Sequence, residues 1–277
     1  MPQHPTPQPP KSATILSIII AILATFASAG GLLLDGLYRD NAFVTTTWLG
    51  NDAVTLFLAV PILLVSMWFA RRGSPKAHLI WMGALDYMLY NYAFYLFGAA
   101  FNWFFLLYAT LLALSILALI FGLVGFDIAG LKYSTLERIP VKWIGGYFLF
   151  VAFGLGTVYL IQSIGFIVTG TLPAIITLSG HLTNVVFALD LTLLIPWLIL
   201  GALWLFKRQP WGVVVAGIIN VKGPLYTLVL AVNSILVVNA GISQTSELPL
   251  WGTLTALGLV ASGLFYFNLQ PSKSRRP

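Results

Sequence analysis

Eight long apolar runs follow one another along this chain, and they constrain its fold more than any other feature. They cover residues 13–34, 52–70, 77–99, 101–125, 143–168, 185–206, 211–239 and 250–269. Each run is close to the roughly 20 residues that an α-helix needs to cross about 30 Å of hydrocarbon. Only 8% of the 277 residues are charged, against about a quarter in soluble domains. The sequence therefore predicts an all-α integral membrane protein with eight transmembrane helices.

The basic residues lie in every second gap between these runs. The clusters are Arg71, Arg72 and Lys76; Lys132, Arg138 and Lys142; Lys207 and Arg208; and Lys273, Arg275 and Arg276. The opposite loops, 35–51, 169–184 and 240–249, have Arg39 as their single basic residue. Because basic loops stay in the cytoplasm, this pattern predicts that both termini are cytoplasmic. The chain resembles bacterial membrane proteins in general, so we expect it in a prokaryotic cytoplasmic membrane.

The two ends differ in composition from the apolar part. Residues 1–12 are rich in Pro and Gln and predict a disordered cytoplasmic tail, whereas residues 270–277 predict a basic cytoplasmic tail. Residues 13–269 are expected to form a single transmembrane domain. Within the first run, Ala27-Ser28-Ala29 resembles a signal-peptidase site, and cleavage there would leave seven spans. Retention is favoured because the apolar run continues through Leu34.

The two halves of the chain share a weak internal similarity. A shift of 135 residues aligns Pro61 with Pro196 and Pro75 with Pro210 without a gap, and it pairs Arg72 with Lys207. The possible repeats are residues 13–125 and 143–269. Because each would hold four spans, both would have the same orientation in the bilayer, as in the parallel repeats of some transporters. Chance recurrence of Pro among apolar residues is the alternative.

Two ionisable residues lie deep inside the predicted spans. Counted at 1.5 Å per residue from the cytoplasmic ends of their spans, Asp86 lies about 13 Å and Lys222 about 16 Å deep. Ionisable groups inside a membrane are costly, so each is a candidate site residue. Asp190 is a rival partner for Lys222, but its side chain should lean away from the lysine, which favours a pair with Asp86. We expect Asp52, at the outer end of the second span, to cap that helix.

Polar side chains follow helical spacing on the two spans that hold these charges. Tyr87, Tyr90 and Asn91 share a broad side of the third span, and Tyr226 and Asn233 lie close to the direction of Lys222 on the seventh. Two such stripes could line a hydrated cavity or a ligand pocket. The alternative is that they form hydrogen bonds that hold helices together.

These observations support two functions. The first is a transporter, or a transporter component, for a small molecule or ion, with Asp86, Lys222 and the polar stripes along the path. The second is a sensor or assembly module in which the same groups are structural. A third alternative is a lipid-modifying or proton-coupled membrane enzyme, for which the sequence has no nucleophile constellation. No pattern indicates a cofactor, and one outer-loop histidine with scattered carboxylates is a weak metal signal. The basic residues flank spans rather than forming one surface, so the expected partner is the lipid bilayer rather than nucleic acid.

Overall fold

The computed structural model describes residues 9–128 and 138–269, and every regular element in these ranges is helical. The predicted tails therefore lie largely outside the described residues. The helices are α1 (Lys11–Leu33), α2 (Ala42–Arg71), α3 (Pro75–Gly98), α4 (Phe105–Val124), α5 (Val141–Thr169), the short α6 (Ala174–Ser179), α7 (Val185–Phe206), α8 (Pro210–Asn239) and α9 (Leu248–Asn268).

Seven of the long helices are long and apolar enough to cross a membrane, and α3 is the long helix outside this set. The chain is therefore an all-helical protein with several membrane-embedded helices. Helix α3 packs against α2, α4 and α8, and most of its side chains are buried in these contacts. A helix surrounded by protein can carry tyrosines, asparagine and a carboxylate, because few of its side chains have to face lipid.

Helix α2 begins at Ala42, ten residues before the predicted start of the second span. Asn41 caps it by accepting a hydrogen bond from the amide of Val44 at 3.0 Å. The hydroxyl of Thr46 donates to the Ala42 carbonyl at 2.8 Å, so its polar group is satisfied within the helix. The expectation for Asp52 was wrong: this residue lies inside α2 and is buried, and the cap is Asn41.

A wide turn interrupts both α2 and α7 just before a proline. In α2 it covers Thr55–Ala59, and in α7 it covers Asp190–Leu194. In each case the amide after the turn donates to the carbonyl five residues earlier instead of four. A proline at the next position cannot donate a hydrogen bond and disturbs the turn before it, which explains why the helix widens there.

Pro224 lies inside α8, and the helix continues past it. Because proline lacks an amide hydrogen, the carbonyl of Asn220 loses its ordinary partner within the helix. The hydroxyl of Ser262 on α9 donates to that carbonyl. The gap in the hydrogen-bond ladder of α8 is therefore filled by a neighbouring helix.

The long helices form two groups of four, and α3 and α8 cross between them. The crossing is close because Gly83 faces α8: a Cβ at this position would lie 2.8 Å from the Ile218 carbonyl oxygen and 2.5 Å from Val221 Cβ. In the first group, α1 packs closely against α4. In the second group, α5 packs on α7 and α9 packs on α8, but α5 and α9 have little contact.

We name the two ends of the bundle by one residue each. The Asp40 end holds the connections at residues 34–41, 99–104, 170–184 and 240–247, and the Lys76 end holds those at 72–74 and 207–209. At the Asp40 end, the Asp40 carboxylate accepts hydrogen bonds from Trp48 Nε1 and from the amide of Ala100, both at 3.0 Å. These bonds fix the first connection against the second.

Candidate functional site

A buried lysine lies at the centre of the bundle, where α3 and α8 cross. Lys222 Nζ lies 3.9 Å from Asp86 Oδ2 and 4.1 Å from the ring centroid of Tyr90. The side chain of Lys222 is 5% exposed and that of Asp86 is 24% exposed. The carboxylate and the ring face both favour the ammonium group, which offsets part of its desolvation cost.

A second carboxylate is connected to this lysine through Tyr90. The Tyr90 hydroxyl donates to Asp190 Oδ1 at 2.6 Å, and the Tyr159 hydroxyl donates to Asp190 Oδ2 at 2.7 Å. Asp190 is buried at the first position of the wide turn in α7. Short bonds from hydroxyls to a carboxylate are among the stronger hydrogen bonds in proteins. We call Asp86, Lys222, Tyr90, Asp190 and Tyr159 the charged cluster.

A separate network of neutral polar groups lies between α2, α3 and α8. Asn233 Nδ2 donates to Asn51 Oδ1 at 3.1 Å, and Asn51 Nδ2 donates to Asn91 Oδ1 at 3.3 Å. Asn91 Nδ2 then donates to Thr55 Oγ1 at 3.4 Å, and Thr55 Oγ1 lies 2.9 Å from the Tyr87 hydroxyl. The network joins three helices through side-chain hydrogen bonds, as interhelical hydrogen bonds do in membrane proteins, and Asn233 Oδ1 is the network atom without a partner among the described residues.

A cavity of about 550 Å³ lies beside the charged cluster, mainly among the helices of the second group, and Thr47 of α2 and Phe94 of α3 also line it. Lys222 and Asp190 line its inner part, and residues of the 170–184 and 240–247 connections line it at the Asp40 end. Its walls are mainly apolar and include Leu155 of α5 and Leu250 of α9. A large apolar space with a few converging polar groups is the usual form of a small-molecule site.

The structure divides the eight predicted site residues into two sets. Four line the cavity: Asp190, Lys222, Tyr226 and Asn233. The other four belong to α3 and are taken up by contacts between helices: Asp86, Tyr87, Tyr90 and Asn91. The polar residues on α8 therefore face the cavity, whereas those on α3 form hydrogen bonds and an ion pair with neighbouring helices.

Tyr159 and Asn220 are among the polar residues lining the cavity that the sequence prediction missed. Tyr159 lines it and donates to Asp190. Asn220 also lines it, and neither atom of its buried side-chain amide has a hydrogen-bond partner among the described residues. A search for polar residues on the cavity side of the fifth and seventh spans could have found both, but that search needs the helix packing, which the sequence does not show.

A further carboxylate, Asp52, is buried in the first group of helices. It accepts hydrogen bonds from the hydroxyls of Tyr38 and Tyr95, the second at 2.9 Å. Burial, and then the nearby Asp52 carboxylate, raise the pKa of Tyr38 far above its ordinary value, so this hydroxyl remains a donor. These groups lie away from the cavity and fix the 34–41 connection against α2 and α3.

Comparison with known proteins identifies no relative. No protein-family model, no curated protein and no solved structure matches the chain. The function of the chain is therefore inferred from the geometry of the cavity and of the charged cluster.

Proposed function

We propose that the chain is a small-molecule or ion transporter, or a component of one, that binds its substrate in the cavity beside the charged cluster. The observation that carries this proposal is the position of Lys222. It lies at mid-helix, it lines the cavity, and it forms an ion pair with the other helix of the central crossing. A ligand that contacts Lys222 would therefore act on the contact between the two groups of helices.

An eight-helix membrane domain with α3 as the eighth span is part of this proposal. The Lys76 end would lie in the cytoplasm, because the described basic clusters flank the helices there. The membrane would be a prokaryotic cytoplasmic membrane, with the lipid bilayer as the surrounding partner.

Duplication of a four-helix unit is also part of the proposal, and three features support it. The wide turn begins at Thr55 in α2 and at Asp190 in α7, 135 residues later. The segments after these turns, Val60–Arg71 and Ile195–Phe206, have the same offset at both ends. At the central crossing Gly83 faces Ile218, its own counterpart at that offset, which is expected where a two-fold axis passes between equivalent helices.

The two proposed repeats differ in one respect that bears on function. In the first, α1 packs tightly on α4 through small buried residues such as Ala24. The position equivalent to Ala24 in the second repeat is Tyr159, and there α5 and α9 stand apart around the cavity. The gap between α5 and α9 therefore has no counterpart between α1 and α4, and it leaves room for a substrate in the second repeat.

Cysteine accessibility tests the proposal, because the chain has no native cysteine. Thr227→Cys places a thiol on the cavity wall, and Ile116→Cys is a control on the exposed surface of α4. Ser74→Cys and Ser243→Cys report the Lys76 and Asp40 ends. In oriented vesicles treated with a membrane-impermeant maleimide, a transporter should show labelling of Thr227→Cys from both sides.

Labelling of Thr227→Cys from the Ser243 side alone would contradict transport. It would favour the second function, a sensor or assembly module, which the hydrogen bonds that join α2, α3 and α8 around Asn51 and Asn91 also suit. Labelling of Ser74→Cys from outside the cell would contradict the orientation. Ile116→Cys should stay unlabelled in every case.

A further inference from the structure

The cavity is bordered by two helices at the edge of the bundle. Among the described residues, α5 packs mainly on α7, and α9 mainly on α8. The two meet where the Tyr147 hydroxyl donates to the Leu254 carbonyl at 3.3 Å. Val158 and Leu250, which line the cavity on opposite helices, are 49% and 55% exposed. In a membrane-embedded protein, apolar side chains this exposed at the edge of the bundle are expected to contact lipid, so the gap between α5 and α9 is the side of the cavity nearest the hydrocarbon.

The charged groups on the cavity wall leave an excess of negative charge. Lys222 is offset by Asp86 at 3.9 Å, so these two residues together add no net charge. Asp190 accepts hydrogen bonds from the hydroxyls of Tyr90 and Tyr159 and lines the cavity without a basic residue within ion-pair distance among the described residues. Glu247 adds a second carboxylate at the mouth, where Trp251 Nε1 donates to it at 2.8 Å. In an apolar surrounding such charge favours a cationic guest and disfavours an anionic one.

The remaining wall groups suit the body of a hydrophobic cation. The ring of Tyr159 stacks on Phe187 with centroids 4.2 Å apart, and both residues line the cavity with Tyr226. Aromatic faces attract organic cations without requiring a fixed geometry. The buried amide of Asn220 and the Tyr226 hydroxyl have no hydrogen-bond partner within 3.5 Å among the described residues.

We propose that the cavity binds an amphipathic organic cation, which enters between α5 and α9 from the bilayer and places its charge near Asp190. This inference rests on the proposed function, since it names the substrate class of the same site. The cavity volume of about 550 Å³ is within the range of sites for small organic ligands.

Binding of two ions of equal shape and opposite charge tests the substrate class. The protein in lipid nanodiscs is incubated with tetraphenylphosphonium or with tetraphenylborate, and empty nanodiscs correct for partition into lipid. We expect saturable binding of the cation and weaker binding of the anion. Asp190→Asn should lower the affinity for the cation about tenfold. Asp35→Asn, which removes the same charge from an exposed position outside the cavity, should change it less than about twofold.

Two results would overturn the inference: equal or tighter binding of tetraphenylborate, or an unchanged affinity in Asp190→Asn. The comparison of the two ions uses the unaltered protein, so it decides the question even if the variant does not fold. Protection of Thr227→Cys from maleimide by tetraphenylphosphonium would place the bound cation in the cavity, and saturable binding without protection would place it elsewhere. Two-sided labelling without cation binding would refute the substrate class alone, whereas cation binding with one-sided labelling would refute transport alone.

Discussion

The close crossing of α3 and α8 predicts that two similar glycine substitutions have different effects on stability. In Gly83→Ala the added methyl group would meet the Ile218 carbonyl oxygen at 2.8 Å and Val221 Cβ at 2.5 Å. Backbone atoms cannot rotate away, so the two helices must separate. Overpacking of this kind costs about 1–3 kcal/mol. The matched control is Gly146→Ala on α5, where an added methyl group meets no atom within 4 Å.

The control separates the clash from the effect of alanine on helix formation. Both sites lie inside long helices, so the gain of up to about 1 kcal/mol from replacing glycine cancels in the comparison. The free energy of unfolding in mixed micelles, measured by titration with a denaturing detergent, should therefore be about 1–3 kcal/mol lower for Gly83→Ala than for Gly146→Ala. An equal stability of the two variants would refute the close crossing, and with it the reason for the position of Lys222.

Three further predictions concern buried polar groups. Lys222→Met should lower the free energy of unfolding by about 3 kcal/mol, because it leaves a carboxylate unpaired, and adding Asp86→Asn should restore most of the loss in the same titration. Transport should be lost in the double variant, and retained transport would make the pair structural. Ser262→Ala should lower the free energy of unfolding by about 1 kcal/mol in the otherwise unaltered protein. In a Pro224→Ala background the same change should lower it by almost nothing, because the alanine amide can donate to the Asn220 carbonyl. Tyr159→Phe should lower the free energy of unfolding by about 2 kcal/mol, because it removes one hydrogen-bond donor to the buried Asp190 carboxylate. An unchanged free energy of unfolding would show that this hydrogen bond does not form.

The helical architecture could be predicted from the sequence because it depends on hydropathy and length. The start of α2 could not, because residues 42–51 include three threonines, a glycine and an asparagine, which lower the apolar signal. In the structure these threonines bond to carbonyls of their own chain, so the segment is helical despite its polarity. The wrong boundary placed Asp52 at a helix end and left Asn51 out of the predicted site.

The candidate site could be predicted in part. Lys222 and Asp190 were identified because an ionisable residue within an apolar run needs an explanation wherever it lies. The side of each helix that faces the cavity depends on packing between distant segments, and for this reason the sequence could not separate the stripe on α3 from that on α8. The limited contact between α5 and α9 leaves no recognisable pattern in the sequence of either helix.

The unequal packing of the two proposed repeats has an evolutionary consequence. After a duplication, one copy can retain the ligand-binding cavity, while the other can acquire side chains that pack its helices more closely. The counterparts of Lys222 and Tyr226 in the first repeat are Tyr87 and Asn91. Both form hydrogen bonds with side chains of α2. Selection on the first repeat would then act on rigidity and selection on the second on ligand choice. Variants that alter specificity should accumulate on α5, α7, α8 and α9, and the first half should change more slowly.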